Sequence, residues 1–192
     1  MMLFQQSDAE LIHAYMHGNE QALEVLINRY KDKIYTSVYM LVKDKYLAED
    51  IFQDAFLKMI KTIKDGRYAE QGKFLPWAIR VAHNLCMDHF RRSRQQIPVT
   101  LPDGQDIANL FGAGDLVADG IEKRQVHDSV RKMVEELPEE QREVIVLRIY
   151  SDLSFKEISD LTGVSINTAL GRMRYALINM RKMITDNQMV LR

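Results

Sequence analysis

Apolar residues recur along this chain at intervals of three and four, and no segment sustains the every-second-residue alternation of a half-buried strand. The clearest stripe is Leu47, Ala48, Ile51, Phe52, Ala55, Phe56, Met59, Ile60 and Ile63, which turns Glu49, Asp50, Gln53 and Asp54 toward the opposite side. Ala22, Leu23, Leu26, Ile27 and Tyr30 make a second stripe, extended by Ile34, Val38 and Leu41. Phe74, Trp77, Ala78, Val81, Ala82 and Leu85 make a third, with Pro76 tolerated in its first turn. Helices with one apolar face must bury those faces against one another, so the expected fold class is all-α.

Local signals divide the chain further. Ser7 with Glu10 forms a capping box ahead of Leu11, Ile12 and Tyr15, and that short helix stops near Gly18, after which Asn19 caps the next. The polar, glycine-flanked run from Asp65 to Lys73 reads as a surface loop. Between Gln95 and Gly120 the helical pattern fades and Pro98, Pro102, Gly104, Gly112 and Gly114 punctuate the chain. Residues 95–120 therefore read as a linker between two small helical domains, 1–94 and 121–192. In the second domain Leu137-Pro138-Glu139-Glu140 supplies a helix start, followed by Val144, Ile145, Leu147 and Arg148. A short helix from Ser154 to Leu161, a Thr162-Gly163-Val164 turn and a helix from Ser165 to Ile184 then make a helix-turn-helix.

Composition narrows the function classes. Cys86 is the single cysteine, which excludes an internal disulfide and a cysteine-rich zinc cage and fits a reducing compartment. No apolar run reaches the roughly 20 residues of a membrane span, and Met1 to Gln5 carries no basic flank or cleavage site, so a cytoplasmic protein without direct membrane insertion is expected. The net charge of −1 argues against a free-standing DNA binder. The charge is nevertheless sorted, for Leu161 to Thr185 contains Arg172, Arg174, Arg181 and Lys182 and no acid, while Glu135, Glu136, Glu139, Glu140 and Glu143 surround Arg142. Such a balance suits a DNA contact supplemented by a larger partner.

Two constellations carry chemistry. In the helix-turn-helix, Phe155, Ile158 and Leu161 can pack on Val164, Ala169 and Met173, Gly163 permits the sharp turn, and Ser165 caps the second helix. Its first turns would present Ser165, Asn167, Thr168 and Gly171 to a major groove, with Arg172 and Arg174 near phosphates. A plain helical hairpin with a solvated basic face would have the same pattern. In the second constellation, Arg67 on the loop and Trp77, Arg80, Asn84, Arg91 and Arg92 on and after the adjoining stripe could hold a displaced single strand by stacking and phosphate contacts. Core packing of Trp77 is the competing reading. His83, Cys86 and His89 are spaced so that they do not converge on a metal, and neither a metal nor another cofactor is expected.

The segment Ala48-Glu49-Asp50-Ile51-Phe52-Gln53-Asp54-Ala55-Phe56 resembles the signature of sigma factor region two, and Phe74 to Arg92 resembles the tryptophan, asparagine and arginine signature that follows it. Leu137-Pro138, Gln141-Arg142, Val144, Leu147, Glu157-Ile158 and Ser165-Ile166-Asn167-Thr168 are similar to region four. With a linker too short for a region-three domain, the chain is identified as a member of the extracytoplasmic-function group of RNA polymerase sigma factors. The resemblance implies docking of Asp50, Gln53 and Asp54 on the clamp helices of RNA polymerase core, with Phe56 packed inside. It implies that Asn84 and the Asp65 to Lys73 loop recognise unstacked bases of the minus-ten element, while Arg80, Arg91 and Arg92 contact its backbone or help part its strands. The second helix of region four would read the minus-thirty-five element, and an anti-sigma factor is an expected further partner besides promoter DNA. The chain departs from the pattern at Leu170 and Tyr175, where family members carry lysine and arginine, and at Gly171, commonly serine. A self-sufficient helix-turn-helix regulator would leave Asp50, Gln53 and Asp54 unexplained, and a helical protein that only titrates an anti-sigma factor would need no DNA contact from Asn84 or Arg172. An enzyme is not expected, since no phosphate-binding glycine loop or nucleophile-base set stands out.

Overall fold

The computed structural model describes residues 3–69, 73–95 and 121–186. Among them there are eight α-helices and no strand. Helix α1 (Asp8–Met16) begins at the expected Ser7–Glu10 capping box, and α2 (Glu20–Val42) begins at Asn19, whose side chain accepts from the Gln21 amide. The left-handed Gly18, at φ 92°, makes the tight corner between them. Helix α3 (Lys45–Lys64) is capped by Asp44, and α4 (Phe74–Gln95) follows the loop. These helices pack around Leu11, Leu26, Ile34, Met40, Met59, Ile63 and Ile79, all essentially inaccessible to solvent. On α4 the deepest residues are Phe74, Ala78, Ile79, Ala82, His83 and Cys86, so the buried face is rotated from the Trp77 and Val81 side toward His83.

The second group comprises α5 (Ile121–Glu136), α6 (Glu139–Ile145), α7 (Phe155–Thr162) and α8 (Ile166–Asp186). Pro138 precedes α6 as the sequence predicts, and a π-helical turn, Val146–Tyr150, continues it. Val144, Ile145, Val146, Leu147, Leu153 and Ile158 make the core here. Helix α7 starts at a second capping box, Ser154 with Glu157, and ends at Gly163 in the left-handed region (φ 71°). Ser165 caps α8 by accepting from the Thr168 amide at 3.0 Å, completing the expected helix-turn-helix. The predicted linker lies outside the described residues except Gln95, which ends α4.

The two groups pack on one another. Helix α2 lies against the π-helical turn, where the buried Ser37 and Ser151 hydroxyls meet at 2.8 Å. Buried apolar residues of both groups form one continuous cluster.

Candidate polymerase and nucleic-acid interfaces

Burying Ile51, Ala55, Phe56 and Met59 along one side of α3 leaves Asp50, Gln53 and Asp54 exposed along the other, all within about one helical turn. The same face carries two large exposed side chains, Tyr46 (72% exposed) and Leu57 (66%). At spacings of four and three from Asp50 and Asp54, they border the polar triplet. Sequence reasoning missed these two, although a helical projection of α3 places both on the polar side. A charged and amide centre with aliphatic and aromatic neighbours is a surface able to orient a partner and to gain from burial.

On the opposite flank, Tyr68 and Trp77 rings stand with centroids 4.5 Å apart, and Trp77 also meets Phe74 at 5.7 Å. Trp77 is thus half-buried, anchored on the core yet open on one side. Arg67, Tyr68, Lys73, Trp77 and Arg80 line a cleft of about 560 Å³ whose far wall is α7, with Glu157, Asp160 and Leu161. Cations therefore face acids across it, and the Lys73 ammonium reaches Glu157 at 3.2 Å. Burial works to raise the Glu157 carboxyl, but hydrogen bonds from the Ser154 side chain and backbone, with the Lys73 charge, leave it below its ordinary value. Arg67 is also paired with Asp65. Asn84 is exposed one residue beyond buried His83, outside the residues that line this cleft. Farther along α4, Arg91 donates to Asp88 at 2.8 Å, consistent with a structural part for Asp88, and Arg92 is exposed. The structure thus gathers Arg67, Trp77 and Arg80 into one cleft, with Asn84, Arg91 and Arg92 further down the helix.

Along α8 the buried Ala169 and Ala176 fix which side faces inward. Asn167, Leu170 and Arg174 consequently point out, and Gly171 is half-buried beside them. Ser165 and Thr168 are both surface residues, joined to each other by an Oγ to Oγ1 contact of 2.9 Å. Arg172 leans toward Glu143 of α6, at 3.8 Å, with its side chain 26% exposed. Glu143 is meanwhile held at 2.8 Å by Nε2 of His83, which is 4% exposed. This pair across the two groups, together with Ser37 to Ser151, Lys33 to Asp152 and Lys43 to the Glu135 carbonyl, was not legible from sequence. Its one local signal is a histidine lying on the apolar side of α4. Among the described residues, no group of three or more metal-ligating side chains converges and no helix is long and apolar enough to cross a membrane.

Known proteins resemble this arrangement throughout. The Sigma-70 region 2 family matches residues 26–96 and the Sigma-70 region 4 family matches 127–174. The ECF RNA polymerase sigma factor SigW of Bacillus subtilis is 27% identical over 174 residues, covering 88% of this chain and 92% of that protein. The RNA polymerase sigma-H factor of Pseudomonas aeruginosa is 26% identical over 181 residues, covering 89% and 90%. Among solved structures, CnrH in complex with the cytosolic domain of CnrY superposes with a TM-score of 0.64 at 20% identity, over 94% of this chain and 99% of that one. The sigma factor RpoE of Bartonella quintana, in complex with the anti-sigma factor NepR, gives 0.66 at 16% identity over 85% and 96%. Regions two and four in order, and two relatives aligned nearly end to end, settle the assignment: the chain belongs to the extracytoplasmic-function group of RNA polymerase sigma factors.

Proposed function

We propose that this chain is a dissociable promoter-specificity subunit that docks on RNA polymerase core, directs it to particular promoters and helps melt the minus-ten region. Its domains would be 1–94 and 121–192, joined through 95–120. Asp50, Gln53 and Asp54 take the docking role, with Tyr46 and Leu57 adding apolar contact. Trp77, Arg67 and Arg80 hold the displaced strand, Asn84 recognises an unstacked base, and Arg91 and Arg92 contact its backbone. The start of α8 reads the minus-thirty-five element, Ser165, Asn167, Thr168 and Gly171 facing the groove and Arg174 a phosphate. Arg172, turned toward Glu143, reaches DNA only at the helix flank. The polymerase makes the phosphodiester bonds, so this subunit needs no catalytic group, and it acts where the polymerase does, in the cytoplasm. Complex formation by the Bartonella relative with an anti-sigma factor supports a protein inhibitor of the same class here.

The observation that carries this reading is the pairing, on one chain and in order, of a region-two match with its acidic and amide face exposed and a region-four match with a formed helix-turn-helix. The test is run-off transcription of fragmented host genomic DNA by purified core polymerase, with and without the protein. New start sites that share two spaced upstream elements are expected. Binding of DNA without core, and no new starts, would make it a conventional regulator instead.

A further inference from the structure

A recognition helix ordinarily offers hydrogen-bond donors and acceptors to base edges, yet α8 offers an aliphatic group at the centre of its outward face. Leu170 is 44% exposed, flanked one turn away on the same side by Asn167 and Arg174, while its neighbour Ala169 is fully buried. The fold gains little from leucine at such a position, because much of the side chain remains in water. Gly171 adds a second, independent observation. It lies within the helix at an ordinary backbone angle, and a Cβ built there would meet nothing within 4 Å. Packing inside the chain thus does not require glycine, although glycine weakens a helix. A projecting leucine beside a missing side chain makes a knob and a gap on the surface that enters the groove.

The major groove presents one apolar group, the 5-methyl of thymine, and aliphatic contact with it distinguishes thymine from the other bases. We infer that Leu170 is a specificity-determining residue that packs against the methyl group of a thymine in the minus-thirty-five element, Gly171 letting the helix approach closely enough to do so. Ile166, Tyr175, Leu177 and Ile178 are also exposed along α8, and it is the charge around them that favours DNA over a protein occupant. Leu161 to Thr185 holds four basic residues and no acid, and Arg174 and Arg181 lie on the Leu170 side of the helix. Asn167, one turn before Leu170, could meanwhile address an adjacent adenine. The inference rests on the sigma reading, since it needs the helix in promoter DNA.

The experiment starts from promoters mapped by the run-off transcription above. Each thymine of the minus-thirty-five element is replaced in turn by deoxyuridine, which loses only the methyl group, and holoenzyme binding is measured by competition. One position should weaken binding by about fourfold, the value of one buried methyl-sized group. With Leu170→Ala holoenzyme that difference should vanish, while discrimination at the other positions persists. Leu170→Lys should also lose it and bind all sequences with a steeper salt dependence. Insensitivity to every deoxyuridine, an element without thymine, or discrimination that survives in Leu170→Ala would each overturn the inference and assign the apolar face to a protein contact. Failure to obtain new start sites at all would instead remove the sigma reading itself.

Discussion

In the docking role proposed for them, Gln53 and Asp54 would matter to a partner and not to the fold. Both are exposed on α3, and the helix owes its position to Ile51, Ala55, Phe56 and Met59 behind them. Exposed substitutions away from caps and cores change stability by about 0.5 kcal/mol or less. Changing both to alanine should therefore leave helicity and the unfolding midpoint unaltered while abolishing competition for core polymerase. Normal competition by the double variant would move the docking surface elsewhere. The base-recognition role proposed for Asn84 would separate two later steps in the same way. With Asn84→Ala, polymerase and promoter binding should persist while permanganate reactivity of the minus-ten thymines falls at least tenfold. Equal melting by variant and parent would remove the base-recognition role. Its neighbour His83 is the contrary case, buried on α4 with its Nε2 held by Glu143 at 2.8 Å.

At the scale of elements, the caps show how local chemistry fixes where a helix begins. Ser154 Oγ accepts from the Glu157 amide at 3.2 Å while Glu157 accepts from the Ser154 amide at 2.9 Å, so two helix-start donors of α7 are satisfied together. Ser154→Ala should cost about 1 kcal/mol, read as a lowered urea midpoint with an unchanged slope. A carboxyl depressed on folding stabilises above its unfolded value and loses that effect as pH falls through its folded one. The stability gap between the parent and Glu157→Gln should accordingly narrow as pH drops below 4.5, the ordinary value for this group. The Ser7–Glu10 box, the Asn19 cap, Pro138 and Gly163 were all legible in the sequence because each acts within a few residues. The same holds for the apolar stripes that define α2 and α3. The Ser154 box has the same local pattern, Ser154 followed three residues on by Glu157. The π-helical turn, the rotation of α4 toward His83 and the burial of Ser37 were not legible, because they arise from contacts such as Ser37 to Ser151, which lie 114 positions apart. The candidate sites follow the same division: the α3 and α8 faces could be read from periodicity, whereas the Arg67, Trp77 and Arg80 cleft acquires its α7 wall only in three dimensions.

Considered as a whole molecule, with one promoter element read by each domain as proposed, the packed arrangement cannot serve both elements. The two elements lie about 25 base pairs apart by their names, roughly 85 Å on a duplex rising about 3.4 Å per pair. Helix α2, 23 residues long, extends only about 35 Å at 1.5 Å per residue, and α2 itself touches the second domain. Promoter recognition by both domains thus requires the Ser37–Ser151 and His83–Glu143 contacts to part, which also withdraws α7 from Trp77 and Arg80. The parting should be preventable. The serine hydroxyls approach to 2.8 Å, so Ser37→Cys combined with Ser151→Cys places two thiols within reach of a disulfide, whose Cβ atoms need about 3.8 Å. The native thiol should not interfere, since Cys86 is fully buried and burial pushes its pKa up to about 12, leaving almost no thiolate at neutral pH. Oxidised double-cysteine protein should fail to direct transcription from a mapped promoter, reduction should restore it, and each single variant should work in both states. The docking face proposed on α3 is exposed in the packed form, so the oxidised protein should still compete for core wherever docking alone suffices. Unimpaired transcription by fully cross-linked protein would mean that one domain carries promoter recognition unaided.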